Sequence, residues 1–405
     1  MHCASAWIRK IINLAEKTQH ANIKIIFALT LIHFIGDFYS SFIIPLLPLF
    51  VNKFSLSLAQ AGLITGLSRF LAFVVQPPVG YMADRYRTRS FALGGPLLVT
   101  VFISLTGVAP EFWILIIFTC LGSIGSSMFH PTAAGMVEPY AGRNFGFAMA
   151  IFGMGGTLAF GVGPLFISWF AGTYGLRATP FAMIIGFAVI IYLYRTVPVP
   201  EVQGIKHHGL FQSIKEVFGP VWIPIVFIWL VMTLRAYVSQ SFLTYLPLLY
   251  SQKGFSLLSI GTLVSLFTVA GALSGLFAGH LSDRVGFKPV FIGAHLLTTP
   301  SMFLLLYLPG NWIYPSVFLT GFFVLATLPL GVALAQRMAP QGKSMASSLM
   351  MGLAYGAGGL LTPLTGKLAD MFSIRPVLTT LALIPILSIS LIYYLFKHYA
   401  VSVSR

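Results

Sequence analysis

The stretch Gly80-Tyr81-Met82-Ala83-Asp84-Arg85-Tyr86-Arg87-Thr88-Arg89 closes an apolar run in a tight, basic turn. The same device returns 199 positions later as Gly279-His280-Leu281-Ser282-Asp283-Arg284-Val285-Gly286-Phe287-Lys288. Both copies read Gly, three residues, Asp-Arg, then further basic residues. Their surroundings repeat as well. Pro48 matches Pro247, Gly62 matches Gly261, and Gly142-Arg143 matches Gly342-Lys343 at a shift of 199 or 200. Gly153-Met154-Gly155-Gly156 is echoed by Gly356-Ala357-Gly358-Gly359. A shift of half the chain, held through apolar runs and loops alike, marks a duplicated membrane architecture.

Composition agrees with that reading. Of 405 residues, 57% are hydrophobic and only 8% charged, against roughly 25% charged in soluble domains. The bilayer is therefore the solvent, and a spanning helix needs about 20 mostly apolar residues. On this basis the sequence predicts an all-α polytopic protein with twelve transmembrane helices, at 24–50, 58–83, 91–109, 112–136, 144–170, 178–195, 220–250, 257–281, 288–308, 312–336, 344–370 and 377–397. They divide into a tail (1–22), a first six-helix bundle (23–195), a linker (196–219), a second six-helix bundle (220–397) and a closing tail (398–405).

The net charge of +15 could suggest nucleic acid, so the placement of the cations decides. In the twelve-span frame, 17 of the 24 Lys and Arg fall on one side. That is the positive-inside bias, which places both termini in the cytoplasm and the chain in the inner membrane. Cys3 lies in a tail and Cys120 in a span, so no disulfide framework is indicated. Trp7, Ile8, Ile11, Ile12 and Leu14 among Arg9, Lys10 and Lys17 read as a short helix on the inner leaflet. The loops leave no room for a catalytic domain, and no phosphate-binding Gly-x4-Gly-Lys-Ser/Thr loop occurs. The expectation is a transporter rather than an enzyme, with no cofactor and no metal.

Nine acids exist, and Asp37 alone stands in mid-span. A charge at that depth costs about 2.5 to 3.5 kcal/mol on insertion scales, so it faces a polar interior and has a partner or a task. His33 and Ser40 share its helix face. Arg69 and Arg235 lie at similar depth, and Arg235 takes the place in the second half that Asp37 takes in the first. Acid on one wall of a central cavity and base on the other follows from that pseudo-symmetry. With two guanidiniums against one carboxylate, the centre suits an anionic substrate. Protonation of Asp37 would free an arginine for the anion. Histidine as a residue type titrates near neutrality, which makes His130 a candidate proton relay. Ser40, Gln76, Tyr237 and Gln240 are candidate cavity lining. Gly80, Asp84, Arg85 and Arg89, with Gly279, Asp283 and Arg284, read as a gate on the cytoplasmic side. Dense glycine in the fifth and eleventh spans reads as close helix packing or as a sliding surface.

Twelve spans with Gly80-x3-Asp84-Arg85 and its repeat resemble the major facilitator superfamily over essentially the whole chain. His33-Phe34-Ile35-Gly36-Asp37, Phe54-Ser55-Leu56-Ser57, Gln76-Pro77-Pro78-Val79-Gly80-Tyr81, Phe129-His130-Pro131 and Gly356-Ala357-Gly358-Gly359 resemble its fosmidomycin-resistance group of drug exporters. Two positions depart from that group: Gly36 stands where Asn is frequent, and Thr132 where an acid is frequent. The resemblance implies alternating access driven by the proton gradient, with efflux of small compounds, in that group a phosphonate antibiotic. The expected function is proton-coupled antiport of a small anion or drug by a monomer in the lipid bilayer. The rival expectations are proton-symport uptake of an anionic metabolite and a transport-inactive membrane sensor or scaffold.

Overall fold

The computed structural model describes residues 21–85, 89–142, 145–199, 218–340 and 343–399, and every regular element among them is helical. The proposed leaflet helix of the N-terminal tail, linker residues 200–217, residues 400–405 and the side chains of Asp84 and Arg85 lie outside the described residues. Among the described residues eleven helical stretches are long and apolar enough to cross a bilayer: Ile23–Phe54, Leu58–Val79, Ser90–Val108, Phe112–Tyr140, Phe145–Tyr174, Leu176–Thr196, Trp222–Gln252, Leu257–Val285, Phe287–Tyr307, Gly310–Met338 and Ile374–His398. Helices are the answer to an apolar solvent because each satisfies its backbone internally. We number these as spans in chain order and give the eleventh place to a segmented stretch, 343–372.

That eleventh span, expected at 344–370, is built of short helical pieces. It runs as Lys343–Ser347, a π-helical Ser348–Leu353, Ala354–Leu360 and Thr362–Phe372. Pro363 cannot donate a backbone hydrogen bond, so the helix restarts around it, and a π-turn loosens the ladder upstream. The first span breaks too, into Ile23–Ser40 and Ile43–Phe54. Pro45 lacks the N–H that would bond the Ser41 carbonyl, which places the break one turn beyond Asp37. The second span is interrupted at Val75, directly before Gln76-Pro77-Pro78.

The two halves meet along two seams, the fifth span against the eighth and the second against the eleventh. Small residues and hydroxyls make the seams, as expected where lipid removes the hydrophobic drive between helices. Ser265 Oγ donates to the Gly161 carbonyl at 2.6 Å, and Thr268 Oγ1 to that of Phe160 at 3.0 Å. On the other seam Tyr245 Oη donates to the Leu58 carbonyl at 3.2 Å, and Thr362 Oγ1 to that of Gly62 at 2.9 Å. A Cβ at position 62 would meet Tyr245 Oη and stand 2.8 Å from the Thr362 carbonyl oxygen.

The start of the second span shows how the ends are finished. Ser57 and Gln60 form a capping box, and Ser256 caps the eighth span at the equivalent place, 199 positions on. In the second span the two remaining free N–H groups, of Leu58 and Ala59, donate to the Asp370 carboxylate at 2.8 and 3.1 Å. An acid from the second half thus caps a helix of the first, where the helix dipole favours negative charge. Among the described residues, every hydrogen bond between the halves lies from this face to mid-depth, and this face is remote from Asn22 and His398.

Two outcomes test this seam. With Cys3 and Cys120 replaced by Ser, a thiol reagent should label Thr244→Cys faster once Gly62→Val wedges the halves apart; unchanged labelling would contradict the close approach. Asp370→Ala should destabilise the detergent-solubilised protein by about 1 kcal/mol, the usual worth of a lost cap, read as a lower Tm.

Candidate functional site

Asp37 sits in the last full turn before the break in the first span and is 3% exposed. His33, one turn earlier, places Nε2 3.1 Å from Asp37 Oδ2. His130, from the fourth span, places Nε2 3.2 Å from the other oxygen, Oδ1. The opposite ring nitrogens are fixed by backbone: His33 Nδ1 lies 2.9 Å from the Phe152 carbonyl oxygen and His130 Nδ1 2.8 Å from that of Ser126. A carbonyl only accepts, so both Nδ1 atoms donate. An ionised carboxylate also only accepts, so each Nε2–carboxylate contact needs one further proton. The geometry therefore holds two protons, and the charge of the three groups runs from −1 without them to +1 with them. Hydrogen bonds to charged groups contribute about 1.5 to 3 kcal/mol each, so two of them offset the insertion cost of the carboxylate.

The neighbours hold this arrangement rigid. The His33 ring stacks on Phe152 with centroids 4.4 Å apart, and His130 on Phe129 at 4.1 Å. Gly36 abuts the Phe129 ring, so a side chain there would collide with it. On the facing fifth span, a Cβ at Gly156 would stand 2.6 Å from His33 Nε2 and 2.7 Å from Asp37 Oδ2. The glycine run of that span therefore carries a contact with the charged cluster as well as close packing.

His33, Asp37 and His130 are also a donor set that could take a metal ion, their ligating atoms lying within 4.8 Å of one another. Each imidazole engages a different carboxylate oxygen, and the two rings meet edge-on with centroids 5.1 Å apart.

The other expected residues fall into place around this cluster or away from it. Ser40 does not join it: its hydroxyl donates to its own helix at the Gly36 carbonyl, 2.8 Å away. Arg235 is not paired with Asp37, because histidines occupy both carboxylate oxygens. Arg69 and Arg235 instead flank one ring, Tyr355, each guanidinium carbon 5.9 Å from its centroid. Arg69 is in electrostatic range of His130. Arg235 is 4% exposed, and its Nε and Nη1 have no hydrogen-bond partner. Tyr237 Oη accepts from Thr365 Oγ1 at 2.9 Å, and Gln240 is buried with Nε2 unpartnered. Gln76 is half-buried where the second span resumes.

Of the gate residues, Gly80 lies in the helical stretch Gln76–Arg85. Arg89 Nη1 donates to the Val197 carbonyl at 2.6 Å, with its guanidinium carbon 4.3 Å from the Tyr194 ring centroid, tying the third span to the sixth. In the second copy, Gly279 faces open space, and Asp283 and Arg284 are exposed with no ion pair among the described residues. Tyr355, Gly156 and His295 are additions to the expected set. His295 stands in mid-span and is detectable by the rule that singles out Asp37; Tyr355 and Gly156 have contacts that no spacing announces.

Comparison with known proteins places this geometry in a lineage. The model of the Major Facilitator Superfamily matches residues 29–262 and 229–403. The chain is 26% identical to the fosmidomycin resistance protein of Escherichia coli (strain K12) over 372 residues, 90% of this chain and 91% of that one. It is 26% identical to the multidrug resistance protein MdtG of Rahnella sp. (strain Y9602) over 64% of this chain and 65% of that one. The fold matches a bacterial homologue of the human lysosomal transporter Spinster, solved inward-facing and occupied, with TM-score 0.78 and 17% identity over 93% of this chain and 97% of that one. It also matches the nucleoside transporter NupG, with TM-score 0.72 and 14% identity over 93% of this chain and 100% of that one. With its duplicated helical halves and a family match running almost end to end, the chain is a membrane transporter belonging to the Major Facilitator Superfamily.

Proposed function

We propose that this transporter exports a small anionic compound in exchange for protons, with both termini in the cytoplasm and the cluster of His33, Asp37 and His130 as the proton carrier. The observation that carries the reading is the pair of imidazoles set on separate oxygens of one buried carboxylate. Arg69 and Arg235 about Tyr355 supply the positive charge that an anion needs. The relatives named for resistance to fosmidomycin and to multiple drugs support export, and the first of them makes a phosphonate the leading substrate class.

Exchange follows from the charges. Without protons the cluster is negative, and it attracts Arg235 across the midline, which holds the halves together. Two protons cancel that attraction from the first half; a bound anion cancels it from the second. Either load alone releases the halves to rock. With both loads present the positive cluster attracts the anion instead, and the carrier is held again. The protein then moves one load each way, never both together, which is the kinetic definition of an exchanger. In this frame the face closed by Asp370 and Tyr245 is the outer one, and the conformation opens to the cytoplasm.

Proteoliposomes with an imposed pH gradient test the reading. Wild type should move a fosmidomycin-like phosphonate against the direction of proton flow. Asp37→Asn should lose gradient-driven flux but retain exchange of labelled for unlabelled phosphonate, because the anion side is intact. Gradient-driven flux equal to wild type in that variant, or phosphonate moving with the protons, would overturn the proposal. Gly156→Ala, which crowds His33 Nε2 and Asp37 Oδ2, should slow gradient-driven flux by about tenfold, the effect of roughly 1.4 kcal/mol on a barrier.

A further inference from the structure

A buried guanidinium without a counter-charge is among the costliest features a membrane interior can hold. Among the described residues Arg235 is such a group, and it lines a cavity walled by the second half alone. The seventh span contributes Arg235, the ninth His295 and Thr298, the tenth Thr327 and the twelfth Ser388. Three of these side chains present unpartnered polar atoms that are almost wholly buried: Arg235 Nε and Nη1, Thr327 Oγ1 and His295 Nε2. Thr327 is 1% exposed. Thr298 and Ser388 already donate to the Ala294 and Ile384 carbonyls, at 2.7 and 2.9 Å. Among the described residues no acid lines the cavity.

The inventory of groups decides what fits. Arg235 can only donate, and the Thr327 hydroxyl is free to donate as well. His295 Nδ1 is engaged by the Phe291 carbonyl at 2.9 Å, so its Nε2 offers one acceptor position when the ring is neutral. Donors outnumber acceptors around a fixed positive charge. The free volume of the cavity is about 10 Å³, close to the minimum for one water-sized occupant. A whole organic anion does not fit; one anionic atom does.

We infer that this cavity is a subsite for a single anionic atom, bound by Arg235 and Thr327 beside His295. A halide ion and the terminal oxygen of a carboxylate or phosphonate share that chemistry. The subsite deepens the proposed exchange and rests on it only for the part Arg235 plays there. It moves the centre of anion recognition off the midline, into the second bundle and away from the proton cluster of the first. Protons and anion then occupy different halves of the molecule, as separate loads require.

Thermal unfolding of the purified full-length protein in detergent tests the subsite without measuring flux, so its failure and that of the exchange reading are distinguishable. Chloride, bromide, acetate and methylphosphonate are titrated at constant ionic strength, with gluconate as the bulky reference anion. The expected result is a saturable rise in Tm with chloride and bromide. Thr327→Val should raise the half-saturating concentration about tenfold, the worth of one hydrogen bond to a charged group, and Thr327→Ser should restore it. Arg235→Gln should abolish the response. If acetate and methylphosphonate also stabilise and compete with bromide, the natural occupant is an oxygen of the transported anion; if halides alone act, it is an inorganic ion. No stabilisation of wild type by any of them, or responses of Thr327→Val and Arg235→Gln equal to wild type, would overturn the inference and leave a water pocket.

Discussion

One buried carboxylate sets the terms for the rest of this structure. Asp37 stands mid-membrane, 3% exposed, where an unpartnered charge is not tolerated, and two imidazoles hold it, one on each carboxylate oxygen. Each imidazole is in turn anchored to a backbone carbonyl, which fixes the ring and leaves the proton between Nε2 and the carboxylate as the variable. The pieces around the cluster follow from keeping it in place. Phe129 and Phe152 cover the rings, Gly36 makes room for Phe129, and Gly156 lets the fifth span lie against His33 and Asp37.

The architecture separates what is rigid from what can slide. The first bundle is tight around the cluster, whereas the seams between bundles are made of glycine, serine and threonine. Bonds such as Thr362 to the Gly62 carbonyl and Ser265 to the Gly161 carbonyl are individually modest and exchangeable. The π-helical turn Ser348–Leu353 lies directly before Tyr355, the ring between the two guanidiniums. Loosened helical turns commonly occur at functional positions, and here one precedes the residue that joins the positive charges of the two halves.

Much of the fold is legible in the sequence, because a run of apolar residues in a bilayer has few alternatives to a helix and a 199-residue repeat names its own symmetry. Asp37, His33 and His130 are legible as well, since charge and imidazole are rare at that depth. Their partnership is only half legible. Spacing puts His33 on the face of Asp37, but nothing in one chain's spacing says that the fourth span brings His130 there before Arg235 can arrive. The breaks in the eleventh helix escape hydropathy, which is blind to the ladder that Pro363 and the glycines weaken. Asp370 reads in sequence as an ordinary span-end acid, yet it caps a helix 311 and 312 residues away in the chain. Thr327 is one threonine among many until its neighbours are known.

The most direct measurement of the central claim is the nitrogen-15 NMR spectrum of His33 and His130 in selectively labelled protein, followed as a function of pH. The account predicts that both rings carry protons on Nε2 and Nδ1 when the cluster is loaded. Both should become the Nδ1–H tautomer together as it empties, because each Nδ1 is committed to a carbonyl. A neutral Nε2–H tautomer at either ring, or rings whose protonation does not change with pH, would contradict it.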